Sequence, residues 1–213
     1  MLEPHYQEAE RAEDLARVLE LQLQDLEEPL ERLGLLKRLG TLRQTVLDHP
    51  KAAFESWGRA LAEEPSDPTV LEALDTLSAS LGAHAELAEL IAARLPTVLD
   101  GQTQVDLNRR LARLADQQLN DPARAIAGWQ SVLQADDYDA EALAALDRLH
   151  QGQQNWGALI DVLRRRVDQA DEADLADLRF RLGYLLEAVE GDVAGAVELY
   201  RSVLWDQPDH AYS

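Results

Sequence analysis

Apolar side chains recur along this chain at spacings of three and four. Leu35, Leu39, Leu42 and Val46 make one run, Leu107, Leu111 and Leu114 a second, and Leu178, Leu182, Leu185 and Val189 a third. Such spacing gathers them on one face of an α-helix. Period-two alternation is scarce and β-branched residues are scattered, so strands are not expected. Asp67-Pro68 and Asp121-Pro122 each read as an N-cap followed by proline in the first helical turn, where a missing N–H costs nothing. Pro65 and Pro208 lie just past helices and stop them. The pattern predicts about 11 helices, near 7–26, 29–47, 50–63, 68–80, 84–98, 102–119, 122–134, 139–150, 155–169, 173–190 and 192–205.

The helices also repeat. Asp48–Leu61 can be laid over Asn120–Leu133 and over Gly191–Leu204, which brings Trp57, Trp129 and Tyr200 into one register, 72 and 71 residues apart. The same offsets carry Arg38-Leu39 onto Arg110-Leu111 and Arg181-Leu182, and Leu15, Leu87 and Leu159 coincide as well. Each long period holds two helical hairpins. A hairpin cannot bury its apolar face alone, so neighbours must stack into a continuous core. No Gly/Ser-rich or Pro-rich linker interrupts the chain, and residues 1–213 are expected to form a single solenoid. Asp209 falls in the register of Asp67 and Asp139, both of which open a helix, so the chain is expected to be part of a longer array.

The small and aromatic positions resemble the tetratricopeptide (TPR) repeat. That family pairs a Leu-Gly step on its first helix with an Ala and an aromatic on its second, then a proline. Leu39-Gly40 is followed by Ala53, Trp57, Ala60 and Pro65, and Leu182-Gly183 by Ala196, Tyr200, Val203 and Pro208. Leu111-Ala112 is followed by Ala125, Trp129 and Val132, with Asp137 in place of proline. Good units therefore cover about 29–65, 102–137 and 173–208, and divergent hairpins about 67–100 and 139–170. The resemblance implies an all-α, right-handed α-solenoid of stacked antiparallel hairpins whose first helices line a concave groove.

Composition narrows the function. Forty acidic against 20 basic residues leave a formal charge of -20, which argues against a nucleic-acid or anionic-membrane partner, because phosphate binding needs a basic face. There is no cysteine, which removes thiolate metal sites and thiol nucleophiles. No phosphate-cradling glycine loop, His-Glu-x-x-His or Gly-x-Ser-x-Gly occurs, and the five histidines are far apart in sequence. No cofactor, metal or catalytic residue is expected. Asp137, Asp139 and Glu141 begin like a calcium loop, but Ala142 and Arg148 stand where glycine and a bidentate acid are needed, so Asp139 reads as an N-cap. The start of the chain has no basic and apolar leader, and a cytoplasmic protein is expected.

The minority cations are the informative charges. On the first helices of the good units the resemblance places Lys37, Thr41, Gln44, Arg109, Arg113 and Tyr184 toward the groove, as candidate partner-binding residues. Arg109 and Arg113 share a helical face and would fork onto carboxylates of an acidic peptide, or else bridge neighbouring helices. Family members that grip a terminal carboxylate carry asparagine where this chain has Thr41. Arg38, Arg110 and Arg181 recur in every good unit and are expected to pair with acids of adjacent helices, whereas Arg164, Arg165 and Arg166 read as a solvated face. Trp205 is expected to be exposed. The expectation is a non-enzymatic scaffold that binds a protein or peptide partner. The alternatives are a structural module that self-associates through open solenoid ends and a docking segment of a larger enzyme.

Overall fold

The structure, a computed structural model, describes residues 3–206, with side chains from Arg11 onward. Among the described residues there are eleven α-helices and no strand: α1 (Glu3–Asp25), α2 (Pro29–Thr45), α3 (Pro50–Glu63), α4 (Pro68–Leu81), α5 (His84–Arg94), α6 (Gly101–Gln117), α7 (Pro122–Ala135), α8 (Ala140–Gly152), α9 (Trp156–Gln169), α10 (Glu172–Leu185) and α11 (Val193–Asp206). The starts are those the sequence signals. Proline opens α2, α3, α4 and α7, and the side chains of Asp67, Asp121, Asp139, Asn155 and Asp171 accept the first free N–H groups of their helices. Two ends differ from expectation. The stretch expected to run to 98 leaves the α-helix at Arg94 for a 3₁₀ turn, Leu95–Thr97, because Pro96 has no N–H to continue the ladder. The stretch expected to run to 190 changes at Leu186 into a π-helical turn, Leu186–Glu190. The stop read at Pro208 and the helix start read at Asp209 lie outside the described residues.

The turns repeat as faithfully as the helices. Asp48, Asn120 and Gly191 occupy one register, all in the left-handed region at φ 51°, 49° and 70°. In each case the next residue's N–H donates six residues back: His49 to Arg43 (2.8 Å), Asp121 to Ala115 (2.8 Å) and Asp192 to Leu186 (3.0 Å). This bond reaches one residue further than the Schellman closure and likewise satisfies an orphan carbonyl at a helix end. Gly82 (φ 66°) and Gln154 (φ 55°) hold the corresponding place at the end of α4 and α8, where Ala83 donates to Ser78 and Asn155 to His150, both at 2.9 Å. These five are all of the positive-φ residues described.

Contacts divide the chain into two compact units. The first takes the residues up to Leu107 with Gln117–Asn120, and the second takes Asn108–Asp116 with the residues from Asp121 on. In the first, Leu19, Leu36, Leu39, Leu61, Leu74, Leu87 and Ile91 form a dry core. Gly40 on α2 faces the indole of Trp57 on α3, and a Cβ built on that glycine would lie 2.6–2.9 Å from three indole atoms. The second unit repeats the arrangement: Gly183 on α10 meets the ring of Tyr200 on α11 at 2.9–3.3 Å by the same measure. These are antiparallel hairpins of the tetratricopeptide type, with a small residue on the first helix admitting an aromatic from the second.

Ala112 departs from that scheme. Its Cβ is met by Gly128, one residue before Trp129, so the small residue has crossed to the second helix, at the register where α3 carries the buried Ser56. The apolar runs also drift. Leu39, Leu107, Leu111, Leu178, Leu182 and Leu185 are buried as expected, but Val46 and Val189 are exposed, and the buried leucines of α2 include Leu33 and Leu36. The helix α2 is covered by both α1 and α3, and its buried residues Leu33, Leu36, Leu39 and Gly40 fall within about 120° of one face at about 100° per residue.

Candidate functional site

The six residues expected to line a groove fall into separate environments. Lys37 Nζ donates to Asp67 at the start of α4 (2.8 Å), and Arg109 Nη2 donates to Asp139 at the start of α8 (2.7 Å). Both pairs occupy one repeat register, and both acids are N-caps, accepting from Val70 N–H (3.1 Å) and Ala142 N–H (2.8 Å). Burial alone would raise these carboxyls. The Lys37 ammonium and Val70 amide outweigh it at Asp67, and the Ala142 amide and Arg109 guanidinium at Asp139, so both are held below the usual carboxylate value. Arg113 forks onto both oxygens of Glu141 at 2.6 Å each, which adds a second bridge from α6 to α8. These three cations clamp each first helix to the start of the next hairpin. Thr41 donates to the Lys37 carbonyl of its own helix (2.9 Å), and Gln44 is half-buried further along it. Thr41, Arg113 and Tyr184 are the exposed members of the six, and Tyr184 is 58% exposed.

The remaining arginines divide differently from expectation. Arg181 does bridge, donating to both oxygens of Asp147 on α8 (2.6 and 3.0 Å) and to Gln151 (3.3 Å). Arg38 is exposed, and among the described residues it forms no ion pair. The run Arg164–Arg166 is not merely solvated. Arg164 reaches Glu190 (3.1 Å), Arg165 reaches Asp137 (3.6 Å), and Arg166 binds Asp147. Three successive residues of one helix point about 100° apart, so each meets a different neighbour. Asp147, only 4% exposed, thus holds two guanidiniums and leaves one positive charge in surplus.

Beside that cluster lies a pocket of about 690 Å³. Its floor is Leu159 of α9 and Leu185 of α10, both buried. Its walls are Trp156, Phe180 and Tyr184, and the π turn closes it with Ala188 and Val189. Phe180 is fixed from behind by Tyr200, whose ring lies 5.6 Å away at 42°, and the Tyr200 hydroxyl donates to Glu187 (3.2 Å). Burial, and then Glu187, raise the Tyr200 phenol above its ordinary pKa. The polar lining is Gln151 and Arg181, and Arg181 is the one charged group in it. An apolar basin with a few fixed polar groups is the usual form of a ligand-binding site.

Tyr184, expected to face the groove, lines this pocket. Arg181 read as structural and Val189 as part of an apolar run. Val189 is exposed because the wider π turn takes it off the α-helical face. Asp139 is the N-cap expected of it, and among the described residues no group of three or more His, Asp or Glu side chains is placed to hold a metal ion. No described helix is long and apolar enough to cross a membrane.

No family model matches the chain, and no curated protein does. Among solved structures it is similar to YrrB, a TPR protein with an unusual peptide-binding site (17% identity over 83% of this chain and 87% of that one, TM-score 0.47). It is likewise similar to MamA of Desulfovibrio magneticus RS-1 (18%, 84% and 97%, TM-score 0.46). A third likeness is to TTC0263, a thermophilic TPR protein of Thermus thermophilus (18%, 85% and 92%, TM-score 0.32). What makes the chain TPR-like is its own hairpin packing, a small residue of one helix set against an aromatic of the next.

Proposed function

We propose that the protein is a non-enzymatic interaction scaffold, and that the pocket between α9 and α10 receives an apolar side chain of a protein partner. The observation that carries this reading is the exposure of Trp156 and Tyr184 over a floor of buried leucines, beside a guanidinium already held in place. Exposed aromatics of this kind are the residues that dominate binding energy when a partner buries them. Arg181 keeps a fixed orientation through Asp147, and the surplus charge of the cluster favours an acceptor on the partner, a backbone carbonyl or a carboxylate. The clamping cations Lys37, Arg109 and Arg113 then act by keeping the hairpins rigid, so that little ordering accompanies binding.

The test is quantitative recovery of partners by immobilised wild type and by Trp156→Ala/Tyr184→Ala. Tyr184 is 58% and Trp156 36% exposed, so the double variant is expected to fold, and its melting curve is recorded beside its binding. It is expected to lose the specific partner, whereas Arg109→Glu/Arg113→Glu is expected to act through stability. Equal recovery by wild type and the pocket variant would refute the reading. A second reading, self-association, is favoured by α11, where Val193, Val197, Leu204 and the 86% exposed Trp205 lie uncovered among the described residues. A strict monomer by light scattering at high concentration would remove it.

A further inference from the structure

The second helices of successive hairpins carry a groove of their own, and the repeat allows its two versions to be compared. In the first unit α3 and α5 run parallel, each antiparallel to α4 between them, and enclose a groove of about 760 Å³. The same register of the second unit, between α7 and α9, leaves only about 260 Å³. The reason is residue by residue. Ala62 and Ala93 line the first groove, and 72 positions later Gln134 and Arg165 occupy the second. Gln130 likewise stands where the first unit has Gly58, and Arg165 reaches across to Asp137 (3.6 Å). One groove is filled by its own side chains, while the other is held open over Phe54 and Leu90.

The open groove also has a charged rim. Glu55 on α3 and Glu86 and Glu89 on α5 stand exposed along it, and among the described residues Glu55 and Glu86 meet no ion-pair partner. Of the two rim cations, Arg59 is turned toward Glu20 of α1, to which it donates at 2.8 and 2.9 Å and which it shares with Arg43 (3.0 Å), and Arg94 stands at the far end of α5. The rim is therefore acidic along the first half of α3 and the first turns of α5. From Phe54 to Ala62 the groove runs about 12 Å, roughly two helical turns, at the rise of an α-helix.

We infer that the α3–α5 groove is a second docking site, and that its occupant is a basic amphipathic helix of a partner protein. Its small apolar residues lie over Ala62, Ala85 and Ala93, and its Lys or Arg side chains over Glu55, Glu86 and Glu89. The acidic rim selects the sign of the occupant's charge and speeds its arrival. The small residues of the floor let its backbone approach closely, and apolar anchors one turn apart enter between the two helices. The site is separate from the α9–α10 pocket and does not depend on it.

The test selects from a displayed library of random peptides of about 16 residues, roughly 24 Å when helical, on immobilised full chain, then titrates the enriched peptides as synthetic compounds. Peptides with small apolar residues at helical spacing and flanking Lys or Arg are expected to dominate one enriched class. Filling the groove with the second unit's own residues, Ala62→Gln/Ala93→Arg, is expected to weaken that class by at least about tenfold, equal to ~1.4 kcal/mol. Trp156→Ala/Tyr184→Ala is expected to leave it unchanged. Both filled positions are exposed, and the helical circular dichroism and melting temperature of the variant should match wild type. Reversing the rim, Glu55→Lys/Glu86→Lys, tests the charge separately and is expected to cause a comparable loss. An enriched set without the basic class, or a basic class that binds the filled variant as well as wild type, would overturn the inference. If instead every peptide is lost with Trp156→Ala/Tyr184→Ala, the pocket stands and the groove falls.

Discussion

Two glycines six residues apart on α2 should respond oppositely to the same substitution. A Cβ on Gly40 would lie 2.6, 2.7 and 2.9 Å from three atoms of the Trp57 indole, well inside ordinary van der Waals contact, and Trp57 is 3% exposed. A Cβ on Gly34 meets nothing within 4 Å. Alanine in place of a helical glycine gains about 0.5–1 kcal/mol of helix stability at either site. At Gly34 nothing opposes that gain. At Gly40 the displaced indole costs about 1–3 kcal/mol of overpacking, so the net change is a loss of about 1–2 kcal/mol. The helix gain cancels between the two variants, which should therefore differ by the overpacking cost of about 1–3 kcal/mol, or several degrees in melting temperature at about 2–4 °C per kcal/mol for a chain of this size. Circular dichroism during thermal and urea unfolding measures both, and Trp57 fluorescence should shift only in Gly40→Ala. Equal responses, or a more stable Gly40→Ala, would refute the claim that the small residue exists to admit the aromatic.

Other consequences are equally direct. Trp129→Ala should lower stability by about 3–5 kcal/mol, as a deletion of a nearly wholly buried aromatic, and an unchanged urea midpoint would contradict its packing role. Gln154→Gly should raise stability by about 0.5–1 kcal/mol, since glycine holds a left-handed turn without the steric cost that glutamine bears there; urea unfolding reads the sign. Asp139→Ala should cost about 1–2 kcal/mol in the same assay, through loss of the N-cap, with Asp139→Asn costing less because asparagine still caps. Burial lowers the pKa of His150 below its ordinary 6.5, so the unfolded chain binds the proton more readily. Its stabilising contribution is complete above that value and is lost as pH falls toward the folded-state pKa. Melting temperatures of wild type should accordingly decline between about pH 7 and 5, and His150→Leu should flatten that decline.

The helices and their starts were legible because they follow from local rules. Proline after a capping aspartate fixes a start at α4 or α7 without reference to the rest of the chain. The repeat register was legible as well, and it located the Gly40–Trp57 and Gly183–Tyr200 contacts in advance. What could not be read was which partner each side chain would choose. Lys37 and Arg109 stand on the helices expected to bind a ligand, and each donates to a capping aspartate 30 residues on. The pocket was hidden for a related reason. Phe180, Arg181 and Val189 come together with Trp156 only through the π turn and the Asp147 cluster, and neither leaves a mark in hydrophobic spacing. The shift of the small residue from Ala112 to Gly128 was invisible for want of any rule assigning it to one helix over the other.

The clamps Lys37–Asp67 and Arg109–Asp139 give growth of the structure a direction. Lys37 of α2 and Arg109 of α6 each catch the opening residue of the next hairpin, closing a loop of only 30 residues. A chain emerging from the ribosome would meet an already formed partner helix at these two steps, and short loops close fast. Assembly in the reverse order has no such guide, because a lone capping aspartate has nothing upstream to greet it.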